Sequence, residues 1–263
     1  MPLTLDHIVI AVTDLDRAFA DYTELGFTVI RGGEHANGIT HNVLVVLEDG
    51  AYLELIAWKR PDPGNRWSEV YHRSGEGFLD HALLPDDIGA VVSGAQDRGL
   101  DISSPEPGGR NRPDGERLEW KTARSHGSDV PFLCGDVTPR TLRVQEGEVR
   151  RHRNGVLGVA AITIAAKDVD ASLTRYGALL GMGEPPPVRT VTVAGTPART
   201  AMLMLGSGIA VTLASPASPE GELAAALDTR GEGPFAVTFR AKDAAGALDP
   251  ALSHRARLSV VSP

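Results

Sequence analysis

The sequence predicts an α+β fold built from tandem β-α-β-β-β units, and three observations support this prediction. An apolar strand pattern at 5–12 runs directly into a helix pattern that opens at Asp14, and three further strand patterns follow. The same order of patterns begins again near residue 77 and near residue 155. A fourth strand start, at 235–243, is followed by too little chain to complete another unit. Recurrence of one pattern along a chain is the sequence signature of internal repeats.

The first unit covers residues 3–58. Asp14 suits the N-cap of its helix, because a carboxylate there accepts hydrogen bonds from N–H groups that have no partner within the helix. Gly26 suits the end of the helix, since glycine readily adopts the left-handed conformation of a C-terminal cap. The apolar and β-branched runs that follow predict strands at 27–31, 39–47 and 51–58. Prolines and a glycine at 61–64 then interrupt regular structure.

The second unit covers residues 77–138 and repeats this order around one long loop. A polar stretch rich in glycine and proline, at 105–115, predicts that loop. We expect a helix at 88–98 and strands at 78–84, 101–103, 117–122 and 130–134.

A polar, basic segment at 139–154 predicts a linker, and the third unit follows it. Asp168 repeats the helix-opening position of Asp14, directly after an apolar strand pattern at 159–166. The remaining strands of this unit are predicted at 189–193, 199–205 and 208–214.

The fourth unit is truncated. After its first strand, the sequence predicts a weak helix interrupted by Pro250 and one last strand at 256–261. The sequence therefore predicts a first domain at 1–138, the linker, and a second domain at 155–263.

The composition narrows the classes of function. Of 263 residues, 42% are hydrophobic, which is typical of a soluble globular protein with sizeable cores. The formal net charge of -8 argues against a nucleic-acid partner, because an acidic surface repels phosphates. The single cysteine, Cys134, excludes an internal disulfide and a cysteine-rich zinc site. No apolar run approaches the length of a membrane span and no signal peptide is recognisable, so we expect a cytoplasmic protein without a membrane partner.

Several short segments carry a family resemblance. The first strand and helix contain Leu5-Asp6-His7-Ile8, Thr13-Asp14-Leu15, Tyr22 and Leu25-Gly26, the later strands contain Thr40-His41-Asn42 and Tyr52-Leu53-Glu54-Leu55, and the linker contains His152 and Asn154-Gly155. A tandem β-α-β-β-β chain with these segments resembles the vicinal oxygen chelate superfamily, and more closely its glyoxalase-like domain branch. The resemblance covers 3–138 well and 155–215 moderately.

The resemblance implies that the units pair into two cupped, incomplete barrels, and that the concave face commonly holds one divalent metal ion, such as Zn, Fe(II), Mn, Ni or Mg. Its ligands come from the first and fourth strands of a unit. In the first unit these positions are His7 and Glu54. In the third and fourth units the corresponding positions are Ala161, Thr212 and Ala236, so the C-terminal half is expected to have a degenerate site.

The third metal ligand depends on the register of the first strand of unit two. Seven residues separate His7 from Asp14, and the same count back from Asp87 reaches Asp80. His81 would complete a set of two histidines and one carboxylate, but a shift of one residue moves a side chain to the opposite face of a strand. Asp80 and His81 therefore remain alternatives.

Other polar residues are candidates for catalysis and substrate binding. We expect His41 to transfer protons and Glu54 to act with it. The predicted substrate-binding residues are Asn42, Trp120, Arg124 and His152. Each of these residues could instead have a purely structural role in the core, at the surface or in the linker. His35, on a glycine-rich stretch, is expected to be a solvated loop residue.

The predicted function is that of a metal-dependent, glyoxalase-like enzyme of the lyase or isomerase type, acting on a small oxygenated carbonyl or hydroxy compound. One alternative is a metal-free protein that binds a drug or metabolite, against which the aromatic content of only 5% counts mildly. Another is an extradiol-type dioxygenase, which would need His81 beside iron(II). The expected partners are a small-molecule substrate and, in a homodimer, a second copy of the chain.

Overall fold

The computed structural model describes residues 3–206, 208–243 and 245–262. These residues form an eight-stranded closed barrel and a seven-stranded sheet, with helices packed against both. The predicted α+β class with tandem β-α-β-β-β units is confirmed.

The N-terminal half contains the barrel. Its strands are β1 (Thr4–Ala11), β2 (Ile30–His35), β3 (Thr40–Val46), β4 (Tyr52–Trp58), β5 (Gly77–Leu84), β6 (Glu106–Asn111), β7 (Arg117–Ala123) and β8 (Phe132–Asp136). Its helices are α1 (Leu15–Glu24), α2 (Arg66–Ser74) and α3 (Ile88–Asp97). The strand order around the barrel is β1-β4-β3-β2-β6-β7-β8-β5.

The two units of the barrel meet along two seams of unequal length. β1 pairs with β5 along most of its length, whereas β2 and β6 share only two residue pairs, Glu34 with Asn111 and His35 with Arg110. The expected open cup is therefore a barrel that is closed by a short ladder. Side chains that line the interior of the barrel lie on both sides of that ladder.

The C-terminal half forms the second sheet. Its elements are α4 (Arg140–Arg143), β9 (Val156–Ala165), α5 (Val169–Leu180), β10 (Arg189–Val193), β11 (Thr196–Met204), β12 (Ala210–Pro216), α6 (Glu222–Arg230), β13 (Gly233–Ala241), β14 (Gly246–Ala247) and β15 (Leu258–Val261). The strand order is β10-β11-β12-β9-β13-β15-β14. As predicted, the fourth unit is incomplete, and turns occupy the region around Pro250 where a weak helix was expected.

The predicted capping residues perform that role. The Asp14 Oδ1 accepts hydrogen bonds from the backbone N–H groups of Asp16 and Arg17, at 2.8 and 3.1 Å. Gly26 follows the helix with φ of 91°, in the left-handed region that glycine tolerates. Asp168 repeats the N-cap at the start of α5. These local signals explain why the positions of α1 and α5 were predictable.

Alternation along β1 divides its side chains between two environments. Ile8 and Ile10 belong to the main hydrophobic core, which also contains Ile162 and Phe239 of the C-terminal half. Val9 packs in a separate cluster on the other face of the strand. Because one core includes side chains from both halves, the division into domains at 138 and 155 remains a prediction.

Helix α2 was not predicted from the sequence. Its N-cap is Asn65, whose Oδ1 accepts hydrogen bonds from the N–H groups of Trp67 and Ser68, at 3.0 and 3.3 Å. The prolines at 61–64 lie just before this cap, so they precede a helix rather than mark an unstructured connection. None of the helices in the described part of the chain is long and apolar enough to cross a membrane.

Candidate functional site

The interior of the barrel holds a cavity of about 290 Å³. Side chains of β1, β3 and β4 form one wall, those of β6, β7 and β8 form the opposite wall, and α2 contributes to the rim. Polar groups are concentrated at one place, where His7, His35 and Glu54 converge.

His7 is held with one nitrogen directed toward this cavity. Its Nδ1 lies 2.6 Å from Asp6 Oδ2, and its Nε2 lies 3.5 Å from Glu54 Oε2. The ring stacks on Tyr52 at a centroid distance of 4.7 Å. A carboxylate at Nδ1 fixes the tautomer and orientation of a histidine that works through Nε2. Asp6 therefore positions His7.

Asp6 is buried and is compensated by two arginines. Arg140 Nη1 lies 2.6 Å from Asp6 Oδ1, and Arg143 Nη1 lies 2.7 Å from Asp6 Oδ2. Burial alone would raise the pKa of Asp6, but the Arg143 guanidinium and the His7 ring hold it well below its usual range. Both arginines come from α4, inside the predicted linker, so this segment supports the site.

Glu54 is the central acceptor of the polar group. Its Oε1 accepts a hydrogen bond from Asn42 Nδ2 at 2.6 Å and lies 3.4 Å from His35 Nε2. Burial would raise the pKa of Glu54, but His35, His7 and Asn42 together lower it to about 2. The carboxylate is therefore ionised at neutral pH.

His35 lies in the barrel wall, and the expectation of a solvated loop histidine was wrong. It is the last residue of β2, and its Nδ1 lies 2.8 Å from Thr40 Oγ1. Its inward direction follows from the pairing of Glu34 with His41, which places those two side chains outside. This strand was predicted to end at residue 31, because the glycines at 32 and 33 are typical of a turn.

His81 does not reach the cavity, which corrects its assignment as a metal ligand. It pairs with Ile8, on the outer face of β1, and its Nε2 lies 3.2 Å from Tyr176 Oη. Burial lowers the pKa of His81 to about 4, so it is a neutral histidine of the core between the two halves.

Asp80 faces the barrel interior, as the register of seven residues indicated, because it pairs with Val9. Its carboxylate already has three side-chain partners: Arg66, the Trp67 Nε1–H at 2.9 Å and the Arg124 guanidinium at 3.3 Å. Burial would raise the pKa of Asp80, but the two arginines lower it. Two adjacent guanidinium groups make this carboxylate a poor ligand for a divalent cation.

Two further candidates also lie outside the cavity. His41 pairs with Ala57 on the outer face of β3, beside Glu34 and Lys59, and burial lowers its pKa. Its neighbour Asn42 takes the inward position. His152 accepts a hydrogen bond from the Thr28 N–H at 3.0 Å, as an ordinary structural contact of the linker. The geometry therefore supports neither His41 in proton transfer nor His152 in substrate binding.

The remaining predicted residues line the cavity, together with several that the sequence did not indicate. Asn42, Trp120 and Arg124 do so as expected. The unpredicted lining residues include Trp58, Trp67, Arg110 and Arg143. Trp67 depends on the unpredicted α2. Arg110 lies in β6, within the stretch 105–115 that the sequence predicted as a loop, and no pattern distinguished it from the other polar residues there.

The chemical types of the donors suit a divalent metal ion. Imidazole nitrogens of His7 and His35 and the ionised Glu54 carboxylate are donor types that Zn, Fe(II), Mn and Ni accept. A second group, Asp6, His7 and Cys134, is the one among the described residues whose donor atoms all lie within 4.8 Å of one another. That group is less suitable, because Asp6 is engaged by arginines and burial raises the pKa of the Cys134 thiol.

A family model described as a glyoxalase-like domain matches residues 5–180. The chain belongs to the glyoxalase-like domain family. This family lies within the vicinal oxygen chelate superfamily, so the resemblance carried by the first unit is confirmed. A search of curated proteins found no match.

Solved structures share the fold of this glyoxalase-like protein. A hypothetical protein from Staphylococcus aureus is 14% identical with a TM-score of 0.74, and the match covers 99% of this chain and 100% of that one. A mutant of 4-hydroxymandelate synthase from Streptomyces coelicolor is 16% identical with a TM-score of 0.67, over 92% of this chain and 72% of that one. A xylose isomerase-like TIM barrel/4-hydroxyphenylpyruvate dioxygenase fusion protein is 14% identical with a TM-score of 0.59, over 100% of this chain and 49% of that one. At these identities the likeness shows the fold alone.

Proposed function

We propose that this protein is a divalent-metal-dependent enzyme of the lyase or isomerase type, acting on a small oxygenated carbonyl or hydroxy compound. One observation carries the proposal: His7, His35 and Glu54 converge in the wall of a barrel cavity, with Asp6 behind His7. Two histidines and one carboxylate then come from the first unit alone, with His35 in the place for which His81 was a candidate.

The residues divide between holding the metal and shaping the cavity. His7, His35 and Glu54 would hold the ion, whose chemistry is Lewis-acid stabilisation of a developing oxyanion. A carboxylate with a pKa of about 2 is a weak base at neutral pH, so Glu54 is better suited to ligation than to proton abstraction. Asn42 orients Glu54, and the tryptophans of the cavity exclude water from bound substrate.

A metal-free binding protein is the second candidate. The aromatic content of the whole chain counted against it, but Trp58, Trp67 and Trp120, which are all the tryptophans of the sequence, line the same cavity. Aromatic walls of this kind suit ligand binding without chemistry. The alternative of an extradiol-type dioxygenase no longer requires His81 as an iron ligand, since His35 offers a second imidazole beside that of His7.

Metal analysis of protein purified without a histidine tag separates these candidates. We expect one equivalent of a divalent metal in the native protein and its loss in His7→Ala and His35→Ala. His41→Ala is the matched control, because this histidine lies outside the barrel, and it should retain the metal. Absence of metal under every loading condition would refute the enzyme and favour the binding protein. Oxygen uptake with catechols and iron(II) would identify a dioxygenase.

We also propose a cytoplasmic location and a homodimer. Both remain predictions from the sequence, and sedimentation analysis of the native protein tests the second.

A further inference from the structure

Arg110 is a buried cation without a counter-ion in the described part of the chain. Its residue is only 4% exposed, and its side chain lines the cavity. Among the described residues, no carboxylate lies within ion-pair distance of its guanidinium, and no hydrogen bond holds that group. Burial lowers the pKa of Arg110, whereas Tyr52 and Glu54, which lie beyond ion-pair distance, act to raise it. A buried charge without a partner destabilises the folded protein unless a ligand of opposite charge binds to it.

The other two arginines of the cavity are compensated. Arg124 has Asp80 as its partner at 3.3 Å, and its guanidinium lies over the Trp67 and Phe132 rings. Arg143 is bound to Asp6 at 2.7 Å and to Asp136 at 2.6 Å. Arg124 was the arginine that the sequence predicted for substrate binding, but the geometry favours Arg110 for binding an anion, because its charge has no partner among the described residues.

The surroundings of Arg110 leave room for its guanidinium and place it near the proposed metal ligands. A Cβ atom at Gly32 would lie 2.6 Å from Arg110 Nη1, so the absence of a side chain at this position makes the space. Arg110 pairs with His35 across the short β2–β6 ladder. An anion on Arg110 would therefore lie beside the polar group that contains His35 and Glu54.

We propose that Arg110 binds the carboxylate of a small, flat, singly charged ligand, whose body lies between the tryptophans of the cavity. This inference rests on the proposed function, since it names the substrate class of the same cavity. One uncompensated guanidinium matches one negative charge, and its planar fork matches a carboxylate in two hydrogen bonds. A phosphate dianion would lack a second free cation among the described cavity residues. Trp58, Trp67 and Trp120 suit a flat apolar body.

Calorimetric titration of the metal-stripped protein with benzoate, benzamide and inorganic phosphate tests the proposal. Benzoate and benzamide have nearly the same shape, but only benzoate is charged. We expect native protein to bind benzoate at least tenfold more tightly than benzamide or phosphate. Arg110→Met should lose this tenfold preference and retain its affinity for benzamide, whereas Arg110→Lys should keep part of the preference. The matched control is Arg117→Met, because Arg117 lies outside the cavity and pairs with Glu119. It should bind as the native protein does.

Thermal unfolding provides a second readout that a purely structural arginine would not give. Arg110→Met should melt at the native temperature or higher, because it removes an uncompensated buried charge. Benzoate should raise the melting temperature of native protein more than benzamide does at the same concentration, and the two ligands should raise that of Arg110→Met equally. If Arg110→Met does not fold, the preference for benzoate over benzamide in native protein and in Arg110→Lys still tests the proposal.

The proposal is overturned if native protein binds no benzoate, binds benzamide or phosphate as tightly, or keeps its preference in Arg110→Met. These measurements use protein without metal, so their failure is distinguishable from failure of the proposed function. Benzoate binding through Arg110 in a protein that never takes up metal would refute the enzyme alone. Metal binding without benzoate binding would refute the present inference alone.

Discussion

Arg143 lies in a segment that the sequence presents as a linker, yet we predict that it is a main support of the candidate site. Its residue is 3% exposed, and it contacts Asp6, Asp136 and the Tyr52 hydroxyl, at 2.7, 2.6 and 2.8 Å. Arg143→Met would leave the buried Asp6 with only Arg140 as a cationic partner. Removing one partner of a buried ion pair typically costs about 3–5 kcal/mol, so we expect a loss of this size in the free energy of unfolding.

Urea unfolding at pH 7 measures this loss, and Arg140→Met is the matched control. Arg140 lies in the same helix and contacts the same two carboxylates, but its side chain is 29% exposed. Water screens a partly exposed pair, so we expect a cost of about 1 kcal/mol for this variant. An equal or smaller loss in Arg143→Met than in Arg140→Met would refute the reasoning, provided that the urea dependence of both variants matches that of the native protein.

The pH dependence of Arg143→Met gives a check with a defined sign. The pKa of Asp6 is lowered in the folded protein, so its ionised form contributes stability above the unfolded pKa of 3.8, and this contribution is lost as the pH falls below that value. Arg143→Met weakens the interaction that lowers the pKa. The difference in unfolding free energy between native protein and this variant should therefore shrink as the pH falls from 7 toward 3.

Two further predictions concern the cavity wall. Gly32→Ala should destabilise the protein by about 1–3 kcal/mol and weaken benzoate binding, because the added methyl group would overlap Asn42 Oδ1 and crowd Arg110; unchanged urea unfolding and titration would contradict this. Glu54→Gln should lower the free energy of unfolding by up to about 3 kcal/mol at pH 7, because the pKa of Glu54 falls from 4.5 to about 2 on folding. The stability that the ionised carboxylate contributes is fully present above pH 4.5 and is lost as the pH falls toward 2. An equal cost in urea unfolding at pH 7 and pH 3 would contradict the ionic origin.

The positions of α1, α3 and α5 and of most strands were predictable because their causes are local. Asp14, Asp168 and Gly26 act on backbone groups within a few residues of themselves, so capping is visible in the sequence. The inward direction of Glu54 agreed with the resemblance, and the inward direction of Asp80 followed from a count of residues to its helix cap. By contrast, α2 was missed because prolines just before its cap resembled a general break.

The sequence by itself determined the repeat of units and the order of their strands along the chain, and its family resemblance indicated His7 and Glu54 as candidate ligands. Only the tertiary structure decided which side chains meet them. His35 reaches Glu54 through strand pairing across a turn, while Arg143 reaches Asp6 over 137 positions of the chain. His41 and His81 are excluded by a single step of strand register, and Arg110 is distinguished only by lacking an ion-pair partner among the residues that the structure describes. The physical reason is that metal ligation, ion pairing and burial depend on distances in space, whereas capping and alternation depend on distances along the chain.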